Sequence, residues 1–567
     1  MKKTLSLVFF FVLITFGYAQ IASLRPFNSE WPETYIETNL SGKMLKEVSR
    51  EFSVDKVEIE GDDCYKVRLC IGRNDYARFL SQGIPFTIVS GSKVTVRMAH
   101  SYEQLTDSWN RYPTWGTYVA TMDTFQNQFP SICKIETILD HTSANHKILA
   151  AHISNNLQER GNKPAFFYTS TMHGDEPVGY YLLLRLIEYL LNNYDSDPQV
   201  QNIINNVDLW ICPIENPDGT YRNHNDSLGE SPYSTRSNYS LIDLNRSYPN
   251  VEEQYTWNET FPDEVQAMLD FGREHNFTMS ANFHGGAEVF NYPWDTWESS
   301  EKLHADDLWW QYVGHNFANT CHAQNNNYMQ DLNNGVVLGS DWYSITGSRQ
   351  DCYNYFLGCR EVTLEVSANK VVSAHNLYKY WNYTRQAMLD YIEESLNGIR
   401  GIVTDSVTGL PIEAEVYVEN HDRDHSQTYS MLPEGNYHRP IKGGTYSVTF
   451  AAEDYYPKTI AVSVADGQSV VRNVQLVPKF VGLDDQNSPA FVIFPNPSHG
   501  YLYVTSMVDP PKKFDFMMFD NQGRLIYQTS VEAGTSTLDI SPLPAGSYLI
   551  HILDKGRSFY QTKIIKG

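Results

Sequence analysis

Residues 165–191 read AFFYTS TMHGDE PVGYYLLLRLIEYLL. Ala165 to Ser170 is an apolar run of strand length, and Val178 to Leu191 is a long apolar helix. Pro177 suits its first turn because it has no amide hydrogen to leave unpaired. The polar hexapeptide between them therefore falls where a strand hands over to a helix. The alternation continues outward through strand Val207 to Ile211, helix Pro262 to His275, strand Thr278 to Phe283, buried strand Val362 to Val366 and closing helix His375 to Leu396. Such alternation between about Tyr112 and Leu396 predicts a layered α/β sheet whose active residues sit on loops beyond the strand ends.

The flanks have a different character. Met1 to Ala19 carries Lys2 and Lys3, an apolar stretch from Leu5 to Phe16, and Gly17-Tyr18-Ala19 before Gln20. This is the pattern of a secretory signal, absent from the mature protein. The stretch is shorter than the ~20 residues that cross a bilayer, and no later segment is long and apolar enough, so no membrane span is expected in the mature chain. Residues 20–100 read as a small α+β unit: helix Met44 to Glu51, strands Val57 to Ile59 and Tyr65 to Ile71, helix Tyr76 to Leu80, then Phe86 to Val89. Residues 398–480, with short strands such as Glu415 to Val418 and Tyr446 to Phe450 separated by glycine turns, predict a β-sandwich. A linker at 481–490, with the polar run Asp484 to Pro489, leads to a second β-sandwich at 491–567.

A length of 567 residues fits three or four domains of about 100 to 200 residues. With 41% hydrophobic residues, global disorder is excluded. The 43 basic against 67 acidic residues give a charge of −24, which argues against a nucleic-acid surface and favours basic substrates only weakly. The seven cysteines are sparse, odd in number and without a C-x-x-C pair. A disulfide scaffold and a thiolate zinc site are both disfavoured, and at least one cysteine must be unpaired.

His173 and Glu176, three apart in the hexapeptide, can aim an imidazole nitrogen and a carboxylate at one zinc ion. Spacing alone proves little, since four other histidines (His100, His304, His421 and His551) also precede an acid by three. Only His173 closes a strongly apolar strand. His284 ends another strand and could supply a third ligand, leaving a coordination position open for water. Glu365 lies inside strand Val362 to Val366, where a carboxylate is costly without a task. Arg236, Asn245 and Arg246 follow strand Val207 to Ile211 and suit a carboxylate and a developing oxyanion.

Taken in order, these pieces resemble the zinc metallocarboxypeptidases, specifically the regulatory branch that removes basic C-terminal residues. The resemblance rests on H-G-D-E at 173–176, N-P-D-G at 216–219, R-S-N at 236–238, D-L-N-R at 243–246, N-F-H-G-G at 282–286, N-Y-P-W-D at 291–295, W-Y-S-I-T-G-S-R-Q-D at 342–351 and T-L-E-V-S at 363–367. It implies a three-layer α/β/α catalytic domain with a mixed sheet at 101–397. It also implies one Zn2+ per catalytic domain on His173, Glu176 and His284, Glu365 as general base and then acid, and Arg236 as oxyanion stabiliser. Asn245 and Arg246 would hold the substrate carboxylate and Tyr343 would close over it. Asp295 would face a terminal Lys or Arg above the neutral pocket base Gln350, although its place after Pro293 also suits a residue that only shapes a turn. Arg349 stands where that branch more often has Met. It is expected to be solvated, with the alternative that it enters the pocket, neutralises Asp295 and weakens basic selection.

Residues 398–480 are similar to the transthyretin-like domain of the same branch, with His421 and His425 expected as solvated loop residues. Residues 491–567 resemble the C-terminal sorting domain of the type nine secretion system of Bacteroidota, which implies outer-membrane secretion machinery as a partner and a secreted or cell-surface destination reached through the periplasm. Residues 20–100 weakly resemble the propeptide of digestive carboxypeptidases, with Lys93 and Arg97 as cleavage points. The expected activity is hydrolysis of the C-terminal peptide bond of substrates ending in Lys or Arg. The alternatives are a cell-wall peptide carboxypeptidase of the same fold and an inactive peptide-binding protein.

Overall fold

The computed structural model describes residues 32–89, 94, 96–222, 224–229, 233–253, 255, 259–479, 491–506, 513–532 and 534–567. The signal segment, Lys93 and the linker lie outside these.

The strand read from 165–191 is central to an eight-stranded sheet. Its order is Val336–Leu338, Glu288–Tyr292, Arg360–Val366, Met279–His284, Ala165–Ser170, Asp208–Cys212, Ile148–Ile153, Cys133–Leu139. Four central strands run parallel and antiparallel pairs flank them, so the sheet is mixed. Alternate residues of Ala165–Ser170 face opposite ways. Phe166 and Tyr168 join the core under helices Val178–Asn193, Asp307–Gln324 and Leu377–Glu394, whereas Ala165 and Phe167 join the core under helices Asp263–His275 and Arg349–Phe356. Two cores on two faces make three layers. The 18-residue helix Asp307–Gln324 escapes the sequence reading because aromatic and small polar residues surround it, leaving no clean apolar stripe.

N-terminal to this body, four strands in the order Ser53–Gly61, Cys64–Gly72, Glu33–Leu40, Thr87–Val89 carry two helices, Gly42–Glu51 and Tyr76–Ser81. The interior strand Glu33–Leu40 is absent from the sequence reading. Residues 398–478 form two facing sheets around Val403, Val416, Val448 and Phe450, and the described residues of 491–566 form two more around Leu502, Phe516 and Ile550.

The sandwich after residue 398 is tied to the α/β body by buried charge. Asp306 accepts from Arg360 at 2.7 Å and from Arg439 at 2.9 Å, and all three are at most 1% exposed. His421 also bonds Asp306, at 2.8 Å, which corrects its expected solvation; His425 is exposed and packs its ring at a tilt against Tyr355. All seven cysteines are free, and six are buried. No helix among the described residues is long and apolar enough to cross a membrane.

Candidate active site

The polar hexapeptide leaves the sheet abruptly. Thr171 has φ +59°, a left-handed conformation that costs a β-branched residue about 1–3 kcal/mol. The turn drops His173 and Glu176 beside the end of the neighbouring strand. Gly174 is required there, because a Cβ would lie 2.2 Å from the Gly219 carbonyl carbon and 2.6 Å from the Thr235 oxygen. Register does the rest. His284 pairs with Glu365 on the next parallel strand, so the third candidate ligand and the candidate base are neighbours.

His173, Glu176 and His284 are each 2–3% exposed, and their donor atoms lie within 4.8 Å of one another. The Nδ1 atoms of His173 and His284 stand 3.2 and 2.9 Å from one Glu176 oxygen. The other nitrogen of His173 is held by Asp243 at 3.0 Å, the carboxylate backing common behind metal-bound histidines. Burial lowers His284 to about pKa 4, which keeps its ring neutral and fit for a cation. Burial alone would raise Glu176, but the His173 ring and Lys370 outweigh it and hold the carboxyl well below its usual range. Two imidazoles and a carboxylate with nothing softer nearby form a donor set that fits zinc.

Arg236 is oriented by two acids, with Nε on Asp243 at 3.0 Å and a terminal nitrogen on Glu176 at 3.2 Å. Arg246 anchors one nitrogen on the Asn245 carbonyl, and its Nε and Nη2 are buried without a hydrogen-bond partner among the described residues. The amide of Arg349 donates to Asn245 Oδ1 at 3.0 Å, which leaves the Asn245 NH2 free to donate elsewhere. Glu365 keeps one oxygen without a partner among the described residues. Burial, and then the Glu176 charge, push its carboxyl well above the usual range. One cavity is lined by His173, Glu176, His284, Arg236, Asn245, Arg246, Tyr343, Asp295 and Glu365. Gln350 lies just behind, with Nε2 donating to Asp295 at 3.1 Å and Oε1 accepting from the Thr363 amide at 2.7 Å.

Arg349 takes neither expected role. It is fully buried on the far side of its helix, paired with Glu215 at 2.5 Å and Glu361 at 2.9 Å, and so neither meets solvent nor neutralises Asp295. The acids it needs are remote in sequence, so its neighbours carry no signal of this pairing.

Several residues of the site went unread. Asp243, inside the D-L-N-R motif, orients both His173 and Arg236. Lys370, three residues past T-L-E-V-S, bonds Glu176 at 3.1 Å and Asp175 at 3.0 Å. The N-terminal unit also reaches in. Val54 and Asp55 line the cavity, Asp55 pairs with Lys370 at 2.5 Å, Ser53 donates to Asp243 at 2.6 Å, and Glu33 accepts the amides of Arg236 and Ser237 at 2.9 and 3.0 Å. Tyr35 donates to Asp175, and Tyr343 packs on the core of this unit.

A doubly covered mixed sheet brings two histidines and an acid together beside unspent guanidinium donors, and the chain belongs to the zinc carboxypeptidase family. Residues 118–387 match that family, 398–477 match the carboxypeptidase regulatory-like domain, and 492–567 match a secretion system C-terminal sorting domain. Mouse carboxypeptidase M is 33% identical over 312 residues, 53% of this chain and 69% of that protein. Carboxypeptidase SOL1 of Arabidopsis thaliana is 33% identical over 337 residues, 58% of this chain and 64% of that protein. Carboxypeptidase D of Anas platyrhynchos is 32% identical over 369 residues, 62% of this chain. The chain spans 26% of that duck protein and just under two thirds of the plant one.

Proposed function

We propose that this chain is an exported zinc-dependent carboxypeptidase that hydrolyses the C-terminal peptide bond and prefers terminal Lys or Arg. The observation that carries the reading is Arg246, whose two unpartnered N–H groups share a cavity with the His173, Glu176 and His284 donors. A planar fork with two free donors suits a terminal carboxylate, and Asn245 adds a third donor. His173, Glu176 and His284 would hold a single zinc ion, whose chemistry when bound is to polarise the scissile carbonyl and acidify the attacking water. Arg236, fixed by Asp243, supplies a preorganised positive charge to the developing oxyanion. Glu365, which lines the cavity beside the three donors with one oxygen unpartnered among the described residues, takes the water's proton and delivers it to the leaving amine. Tyr343 closes over the terminal residue, and Asp295 meets its cationic side chain.

The N-terminal unit lines this cavity through Val54 and Asp55, and we infer that it holds the enzyme latent until it is displaced. Asp55 occupies Lys370, and Glu33 and Ser53 occupy groups around Arg236. Arg97, in the connecting segment, is exposed. The sorting domain at 492–567 supports export to the cell surface or medium by the outer-membrane secretion machinery. Cleavage of peptides ending in Arg, Lys or Phe, beside a muropeptide, tests the reading. Preferential release of Phe would overturn the basic specificity, and cleavage of the muropeptide alone would favour a cell-wall role.

A further inference from the structure

A second buried acid stands behind Asp295. Asp351 is 1% exposed and is not among the side chains lining the cavity. Burial, and then the charge of Asp295, push its carboxyl up to about 8, so an acid at this place carries a cost. Its hydrogen bonds show what it holds. One oxygen accepts the Asp295 amide at 2.8 Å and the other accepts the Thr296 amide at 2.9 Å. The rest of the loop is tied to the facing wall: the Ser340 amide donates to the Trp294 carbonyl at 2.9 Å, the Ile345 amide to the Asp295 carbonyl at 3.0 Å, and Thr296 Oγ1 to the Ile345 carbonyl at 3.0 Å. Asp351 is itself fixed in the first turn of helix Arg349–Phe356, with its amide on Ser348 Oγ at 3.2 Å. An Asp side chain can offer one acceptor oxygen to each of the two consecutive amides. An Asn would turn an NH2 toward one of them.

We propose that Asp351 is the positioning residue for basic specificity: by gripping the amides of Asp295 and Thr296 it aims the Asp295 carboxylate into the cavity, while the adjacent Gln350 steadies that carboxylate from the side. The proposal rests on the reading of Asp295 as the partner of a terminal Lys or Arg. Asp351 itself touches no substrate. It acts on how tightly the cationic side chain is held, and so on KM for basic substrates rather than on the bond-breaking step.

The test is Asp351→Asn in the full-length chain, with kcat and KM measured on two peptides that differ only in a terminal Arg or Phe. The expected result is a rise of about tenfold or more in KM for the Arg peptide, with kcat on both peptides and KM for the Phe peptide within about twofold of wild type. A variant that loses kcat equally on both peptides, with the ratio of their kcat/KM values unchanged, has suffered general damage and overturns the proposal. Asp351→Ser, smaller and with a hydroxyl hydrogen that can rotate away from the two amides, guards against a folding defect and should shift the ratio in the same direction. Failure of both variants to fold would make Asp351 purely structural and would also overturn it. If Asp295→Asn abolishes the wild-type Arg preference and Asp351→Asn leaves it intact, the proposal alone fails. A wild-type enzyme with no Arg preference refutes the reading of Asp295 and the proposal with it.

Discussion

Asp295→Asn should make the protein more stable and less selective at once. Asp295 is 4% exposed, and its carboxylate lies over Gly339, where a Cβ would come within 2.0 Å of Oδ1. Burial is the main force on its carboxyl and raises it to about 6, from an ordinary value of 3.8. The difference, 6 − 3.8, is about 2 units, or up to about 3 kcal/mol at 1.36 kcal/mol per unit. Because the folded-state value is the higher one, the contribution to folding is complete below pH 3.8 and is lost as pH rises through about 6. At pH 8 the variant should therefore gain up to about 3 kcal/mol over wild type in urea denaturation, and at pH 3 it should gain almost nothing. The same change leaves a terminal guanidinium buried without its counter-charge, which costs roughly 3–5 kcal/mol, or about 200-fold to 5,000-fold in kcat/KM on Arg-terminated peptides. Phe-terminated peptides should be unaffected. In the wild type, the Arg:Phe ratio should climb between pH 5 and 7 as Asp295 ionises. A variant that keeps that ratio, or that is less stable than wild type at pH 8, would refute the reasoning.

Glu365→Gln should lower turnover by about 10²–10⁴ while zinc content, read by elemental analysis, stays at the wild-type level. Limited trypsin treatment should raise the activity of the full-length chain about tenfold or more, because Val54 and Asp55 leave the cavity with their unit; unchanged activity would make residues 20–100 a mere accessory. Arg349→Met should destabilise the protein by about 3–5 kcal/mol in urea melts, since it strands Glu215 and Glu361 as buried unpaired acids. A loss under about 0.5 kcal/mol would return Arg349 to the surface role expected from sequence.

How far the site was legible depends on where each residue stands. His173, His284 and Glu365 are readable because each lies at or near the end of a strand apolar enough to be recognised, and the sheet's parallel register makes those ends adjacent. Asp243, Lys370 and Asp351 act on other residues of the site, and that kind of work leaves no periodicity. Strand Glu33–Leu40 was missed because Thr34, Glu37 and Asn39 dilute its apolar signal, while Glu33 and Tyr35 serve the contact with the α/β body. From sequence, Arg349 reads as a solvated cation, with a change in specificity as the alternative. Its place is in an ion pair beneath the sheet ends, invisible until Glu215 and Glu361 are brought together by the fold.

The most direct test of the central claim is removal and return of the metal, followed on an arginine-terminated peptide with the N-terminal unit displaced. Dialysis against a chelator should abolish release of free arginine, and addition of one equivalent of Zn2+ per chain should restore it. Release of arginine by metal-free protein, or no release by protein that holds one zinc per chain, would contradict the account.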